Sequence, residues 1–128
     1  MIWYRLNVWQ SVLVIDPFAA VTEWLTVPDV AEALNIPLGK ARRLVEEHHL
    51  ITVKVDGVQK VPAELIQDGE PLPSLPGTIL VLLDSGFDLE SAKAWLYTPN
   101  DALESTPINS LLKGRKSEVR RLAQSLAL

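Results

Sequence analysis

The order of three short motifs between Leu25 and Val61 constrains this chain more than any other feature: a capped helix, a second helix, then a tight hairpin. Thr26-Val27-Pro28-Asp29 opens the first helix. Thr26 can accept from the free first-turn N–H groups, and Asp29 can reach back to complete a capping box. Pro28 is harmless there, because first-turn N–H groups have no helical acceptor. Val30, Ala31 and Leu34 recur at helical spacing, and Asn35, tolerant of positive φ, is a fitting stop. Ile36 plugs the turn.

A second helix is expected from Leu38 to His48. Leu38, Ala41, Leu44, Val45 and His48 share one side. Gly39, Lys40 and Arg43 lie opposite, with Arg42 and Glu46 along the flank. Ile51-Thr52-Val53-Lys54-Val55 and Val58-Gln59-Lys60-Val61 then flank Asp56-Gly57. Two β-rich runs around Asp-Gly predict a hairpin, since a type I′ turn needs positive φ at both central residues. Val55 should face Val58 and Lys54 should face Gln59, so that Lys54 and Gln59 project together with Lys60 beside them. Pro62 ends the pairing. Helix, helix and wing in this order outline a winged helix-turn-helix, a unit that presents its second helix to the DNA major groove. Gly39, Lys40, Arg42 and Arg43 are the candidate groove contacts, and Lys54, Gln59 and Lys60 the candidate backbone contacts from the wing.

The chain has 128 residues, of which 48% are hydrophobic and 22% charged, enough for one domain or two small units sharing a core. It has no cysteine, which excludes disulfides and thiolate metal sites and fits a reducing cytosol. No run approaches the roughly 20 apolar residues of a transmembrane helix, so no membrane role is expected. Met1 to Ile15 is apolar and aromatic but is interrupted by Arg5, Asn7 and Gln10, unlike a signal peptide. A strand, a partner-binding arm and a weakly ordered tail all remain open for it.

The net charge of −4 is unfavourable for a polyanion partner until its distribution is considered. Pro37 to Val61 carries five basic against three acidic residues, a net of +2. Pro62 to Leu112 sets Lys93 alone against eight acidic residues, a net of −7. Lys113 to Leu128 holds Lys113, Arg115, Lys116, Arg120 and Arg121 against Glu118, a net of +4. Local potential steers a polyanion, so the last group is a second candidate for phosphate contacts, or else a complement to the dipole of the last helix. The small excess predicts modest, salt-dependent affinity.

Asp68 to Gly77, rich in Pro and Gly, reads as a linker. Helices are expected over Thr78–Ser85 (buried on most sides), Asp88–Tyr97, Thr106–Leu112 and Lys116–Leu126, the last burying Val119, Leu122, Ala123 and Leu126. A further helix is expected from Asp16 to Trp24, capped by Asp16, with Phe18, Val21 and Trp24 inward. The expected fold is thus mainly α with a small β-hairpin wing. It comprises an N-terminal arm (1–15), a winged helix-turn-helix (16–67), a linker (68–77) and a C-terminal helical domain packing on the first (78–128).

Catalysis finds little footing. His48-His49 lacks the i, i+4 spacing of a helical metal pair, and Asp84 and Asp88 suit helix ends. No phosphate loop or nucleophile motif is present, and no cofactor is expected.

From Leu25 onward the chain resembles a family of small actinobacterial winged-helix DNA-binding proteins. The likeness rests on Val30-Ala31 with Leu34, on Val53-Lys54-Val55-Asp56-Gly57, and on Val61-Pro62-Ala63. Leu75-Pro76-Gly77-Thr78-Ile79, Gly86-Phe87 and Ala94-Trp95-Leu96-Tyr97-Thr98-Pro99 extend it, as do Glu118-Val119-Arg120-Arg121 and Ala123-Gln124. It covers about four-fifths of the chain. The resemblance implies DNA binding through the second helix and wing, and a Ser/Thr protein kinase as partner, because the mycobacterial member is such a substrate. That member's phosphorylated Thr lies in an N-terminal tail, whereas Met1 to Ile15 contains no Thr, so the phosphosite is not carried over. Pro37 and Gly39 open the second helix where Ser or Thr is usual. The C-terminal half is also distantly similar to the toxin-contacting helices of some antitoxins.

Two functions follow as expectations. One is double-stranded DNA binding, specific or sequence-tolerant, by a cytoplasmic transcriptional regulator or nucleoid-associated factor. The other is a protein–protein module that binds a partner through the C-terminal helices.

Overall fold

The computed structural model describes residues 16–126. The expectations for residues 1–15 fall outside them. Strand β1 (Trp24–Thr26) runs straight into helix α1 (Val27–Leu34). The capping box forms: Thr26 Oγ1 accepts from the Asp29 N–H at 3.2 Å, and Asp29 Oδ2 accepts from the Thr26 N–H at 3.1 Å. Asn35 stops the helix at φ 56°. Ile36 N–H donates to the Ala31 carbonyl at 2.9 Å, closing the turn before helix α2 (Leu38–Glu46).

Helix α2 is shorter than expected. It ends at Glu46, and His48 adopts φ 65° beyond it. The His48 N–H donates to Val45 and the His49 N–H to Leu44, so a histidine fills the left-handed position usually given to Gly or Asn. Strands β2 (Val53–Val55) and β3 (Val58–Pro62) form the wing, with Asp56 at φ 51° and Gly57 at φ 81°. The register has Val55 opposite Val58 and Lys54 opposite Gln59, as the turn chemistry requires.

The helix expected over Asp16–Trp24 does not form. Asp16 Oδ1 accepts from the Phe18 N–H at 2.9 Å in a short turn, and Trp24 already belongs to β1. There β1 pairs with β3, giving the order β1-β3-β2 with β3 central. Without β1, the second edge of β3 would carry open N–H and C=O groups, and Val21, Thr22, Trp24 and Thr26 are residues that suit extended backbone. Tertiary pairing overrode a good local helix start.

The expected linker is also structured. After a 3-10 turn (Ala63–Leu65), strands β4 (Ile66–Gln67) and β5 (Glu70–Pro71) make a second hairpin around Asp68 (φ 55°) and Gly69 (φ 75°). Helix α3 (Leu75–Asp84) begins three residues before the expected start. It closes with Gly86 at φ 105°, as Gly86 N–H donates to Leu83 and Phe87 N–H to Leu82. Asp88 caps α4 (Leu89–Tyr97), accepting from the Ser91 N–H at 2.7 Å. Thr106 caps α5 (Pro107–Leu112), and α6 (Lys116–Ser125) follows Gly114.

One hydrophobic core runs through both halves. Val30, Ala41, Leu50, Ile51 and Val61 from the winged unit are continuous with Leu65, Leu75, Ile79, Leu82, Leu96, Leu111 and Val119. Phe18 packs on Tyr97 with ring centroids 5.0 Å apart, fastening the N-terminal turn to the end of α4. Three positions expected inside are outside: Leu38 is 37% exposed, Leu80 is 53% exposed and Leu126 is 40% exposed. Even a helix as apolar as α3 has one side, at Leu80, that no other element among the described residues covers.

Candidate nucleic-acid interface

Helix α2 places its charges by its own periodicity. Ala41 is fully buried against α1, with Leu44 and Val45 half-buried beside it. The opposite face carries Gly39, Lys40, Arg42 and Arg43, all exposed. Lys40 and Arg42 precede Arg43, which lies in the last turn, and Glu46 and Glu47 follow at the C-terminal end. A β-carbon built on Gly39 would meet nothing within 4 Å, so packing within this chain does not demand the glycine. Its effect is to leave the start of the front face low.

In the wing, Lys54 and Gln59 are exposed, paired and on one face. Lys60 departs from the expected placement. It is half-buried, pairs with Val53 and with Thr26, and the pleat turns it to the face opposite Gln59. There its charge adds to what depresses the Asp29 carboxylate. The Thr26 N–H bond does most of this and the Thr26 hydroxyl bond contributes next. Lys60 thus adds a small, long-range attraction at the start of α1.

The C-terminal cations separate into two kinds. Lys113, Arg115, Lys116 and Arg121 are exposed. Arg120 is not free: its Nε donates to Thr78 Oγ1 at 3.1 Å and an Nη donates to the Ser74 carbonyl at 3.0 Å. The guanidinium lies over Gly77, where a β-carbon would come within 2.6 Å of it. Its occupied donors make Arg120 a tie between α6 and α3, so it drops out of the candidate phosphate contacts. The helix it stands on packs on α3 and α5.

Lys93 is the residue whose importance the sequence reading missed. Counted there as one cation in an acidic stretch, it is 8% exposed and donates to the Thr52 carbonyl at 2.7 Å and to Glu90 at 3.0 Å. The signal was available, because Leu89, Ala92, Lys93 and Leu96 form one helical stripe. The Lys93–Glu90 pair is the one salt bridge among the described residues, so Lys40, Arg42, Arg43 and Lys54 are uncommitted within them. No group of three or more potential metal ligands occurs among the described residues, and no helix there is long and apolar enough to cross a membrane.

Residues 13–66 match the family model described as the winged helix-turn-helix domain of DNA-binding protein Rv2175c, and residues 72–127 match the Rv2175c C-terminal domain of unknown function. DNA-binding protein Rv2175c of Mycobacterium tuberculosis is 31% identical, the match spanning 79% of this chain and 78% of that protein. This chain belongs to the Rv2175c family. The NMR structure of Rv2175c superposes with a TM-score of 0.75 at 28% identity, covering 90% of this chain and 86% of the other. The mainly helical winged helix-turn-helix with a C-terminal helical region is thus the architecture of the family. An excisionase from Streptomyces ambofaciens is also similar, at 35% identity over 46 residues, 36% of this chain and 74% of that protein.

Proposed function

We propose that this protein binds double-stranded DNA, with the N-terminal turns of α2 in the major groove and the wing on the adjacent backbone. In this reading it acts in the cytoplasm as a transcriptional regulator or nucleoid-associated factor. The observation that carries the proposal is the polarity of α2: a fully buried Ala41 behind, and exposed, uncommitted Lys40, Arg42 and Arg43 in front. Recognition helices contact base edges chiefly through their N-terminal residues, where Lys40 stands, with Arg42 next and Arg43 in the last turn of this short helix. Glu46 and Glu47 lie at the opposite end, away from the groove in such a pose. Lys54 and Gln59 supply backbone contacts from the wing, and Lys60 adds long-range attraction. Lys113, Arg115, Lys116 and Arg121 form a separate exposed group that can reach flanking phosphate. The name of the mycobacterial relative, a DNA-binding protein, supports the same reading.

A low-salt titration of a labelled mixed-sequence duplex tests it. Arg43→Ala should weaken binding by about 1–3 kcal/mol while leaving the unfolding transition in place, because Arg43 is exposed. Affinity should fall steeply as salt rises. Equal affinity of the two proteins refutes the assignment. Co-purification of a stoichiometric protein partner by a chain with no salt-sensitive retention on duplex favours partner binding through the C-terminal helices instead.

A further inference from the structure

We infer that Lys93, on a helix of the C-terminal half, is a positioning residue for the wing; the inference rests on the DNA-binding reading above. The wing strand β2 has three residues, and β3 is its one partner strand among the described residues. Its orientation therefore depends on how its base is held. Leu50 and Ile51 anchor that base in the core. Thr52, the last residue before β2, lies outside the strand ladder. Its carbonyl accepts from Lys93 Nζ at 2.7 Å, across 41 residues of sequence.

Lys93 is an unusual choice for a purely packing role. Its side chain is 10% exposed, whereas its ion-pair partner Glu90 is 82% exposed and in solvent. An ammonium taken out of water is costly unless its donors are used. An exposed partner carboxylate compensates weakly. Among the described residues the Thr52 carbonyl is the one acceptor of this buried ammonium outside α4, and Thr52 is the residue at which the wing leaves the core. The stem of Lys93 lies among the apolar residues of the α4 stripe, so a methionine can replace it without opening a large cavity. Lys93→Met then removes the ammonium while keeping the shape.

Lys93 touches no DNA in this arrangement; it acts through Thr52 on the placement of Lys54 and Gln59. A clamp on the wing predicts two effects that general loosening does not. The salt dependence of duplex binding should become shallower as wing contacts are lost, and the change should be confined to the wing. The test compares wild type, Lys93→Met, Lys93→Arg and Arg43→Ala in titrations of one labelled duplex at several salt concentrations. Amide hydrogen exchange is measured on the same proteins without DNA. Lys93→Met should bind about tenfold more weakly with a log–log salt slope smaller by about one. Exchange should accelerate in β2 and β3, with α1 and α2 unchanged, and Lys93→Arg should restore part of both.

An unchanged slope and unchanged wing exchange in Lys93→Met, with Arg43→Ala still impaired, overturn the inference and leave Lys93 a structural residue. If no variant binds duplex, the DNA reading falls, and faster wing exchange in Lys93→Met still supports the clamp while unchanged exchange removes it too. Should Lys93→Met fail to fold, Lys93→Gln serves for the same two measurements.

Discussion

Asp-Gly occurs twice in this chain with one backbone outcome and two different fates. Asp56-Gly57 and Asp68-Gly69 both adopt positive φ at both residues and both close antiparallel pairs. The first pair becomes the wing: Lys54, Val58 and Gln59 are exposed, and Val58 keeps 47% of its surface. The second pair becomes a clasp. Its strands have two residues each, its flanks Leu65 and Leu72 are buried, and the Leu72 N–H donates to the Leu65 carbonyl at 2.8 Å. Turn chemistry decides that the chain reverses. The residues outside the strands decide whether the reversal projects into solvent or returns the chain to the core.

The largest contrast between the two hairpins should come from their flanks. Leu65→Ala removes a fully buried side chain where the two halves meet, and should cost about 2–5 kcal/mol in chemical denaturation. Val58→Ala, at the exposed wing tip, should change stability by less than about 0.5 kcal/mol. Comparable losses at the two positions would show that the wing is part of the core after all. A smaller, sharper contrast lies in the glycines. Gly57→Ala and Gly69→Ala both place a β-carbon at positive φ, with no steric obstacle around either. Each should destabilise by about 1 kcal/mol. Only Gly57→Ala should also weaken duplex binding, because only that turn carries Lys54 and Gln59. Equal effects of both on binding would place the clasp in the interface.

The same contrast explains what was legible in the sequence. Asp56-Gly57 stood between two alternating β-rich runs, so periodicity and turn chemistry agreed and the pairing of Val55 with Val58 and of Lys54 with Gln59 could be read, although β2 starts only at Val53 and Pro62, expected to end the pairing, continues β3 opposite Trp24. Asp68-Gly69 stood among Pro71, Pro73 and Pro76. Those prolines suggest an open linker, although Pro71 ends a two-residue strand and Pro76 starts a helix. Capped helix starts at Thr26, Asp88 and Thr106 were legible because the signal is local. Strand β1 was not, since its cause is the vacant edge of β3, some 35 residues away. Among the site residues, Lys40, Arg42 and Arg43 follow from helical phase alone. Lys60 and Arg120 departed from expectation because a side chain's surroundings come from other elements: the flanking strand residues Thr26 and Val53 for one, Thr78 and Ser74 for the other. Formal charge in the sequence does not say which cations are free.

The smallest expected effect concerns how the wing side is tied to α1, a link the clasp lacks. Asp29 is held below its ordinary value of 3.8 by the Thr26 N–H, then by the Thr26 hydroxyl, with Lys60 adding in the same direction. A carboxyl whose folded value is depressed contributes stability that is present above the unfolded value and is lost as pH falls through the folded one. Asp29→Asn should therefore be slightly less stable than the parent at pH 7. The gap should begin to close as pH drops below 3.8 and vanish once Asp29 is protonated in both states. Asp88, depressed by the Ser91 N–H in the C-terminal half, obeys the same sign without a cation behind it. Added salt should thus narrow the gap at pH 7 for Asp29→Asn more than for Asp88→Asn, since screening acts on the Lys60 contribution and barely on the caps. Paired denaturant titrations at low and high salt read this directly. Identical salt responses would mean that Lys60 is too well solvated to couple the wing to α1, leaving the β1–β3 ladder as the connection between them.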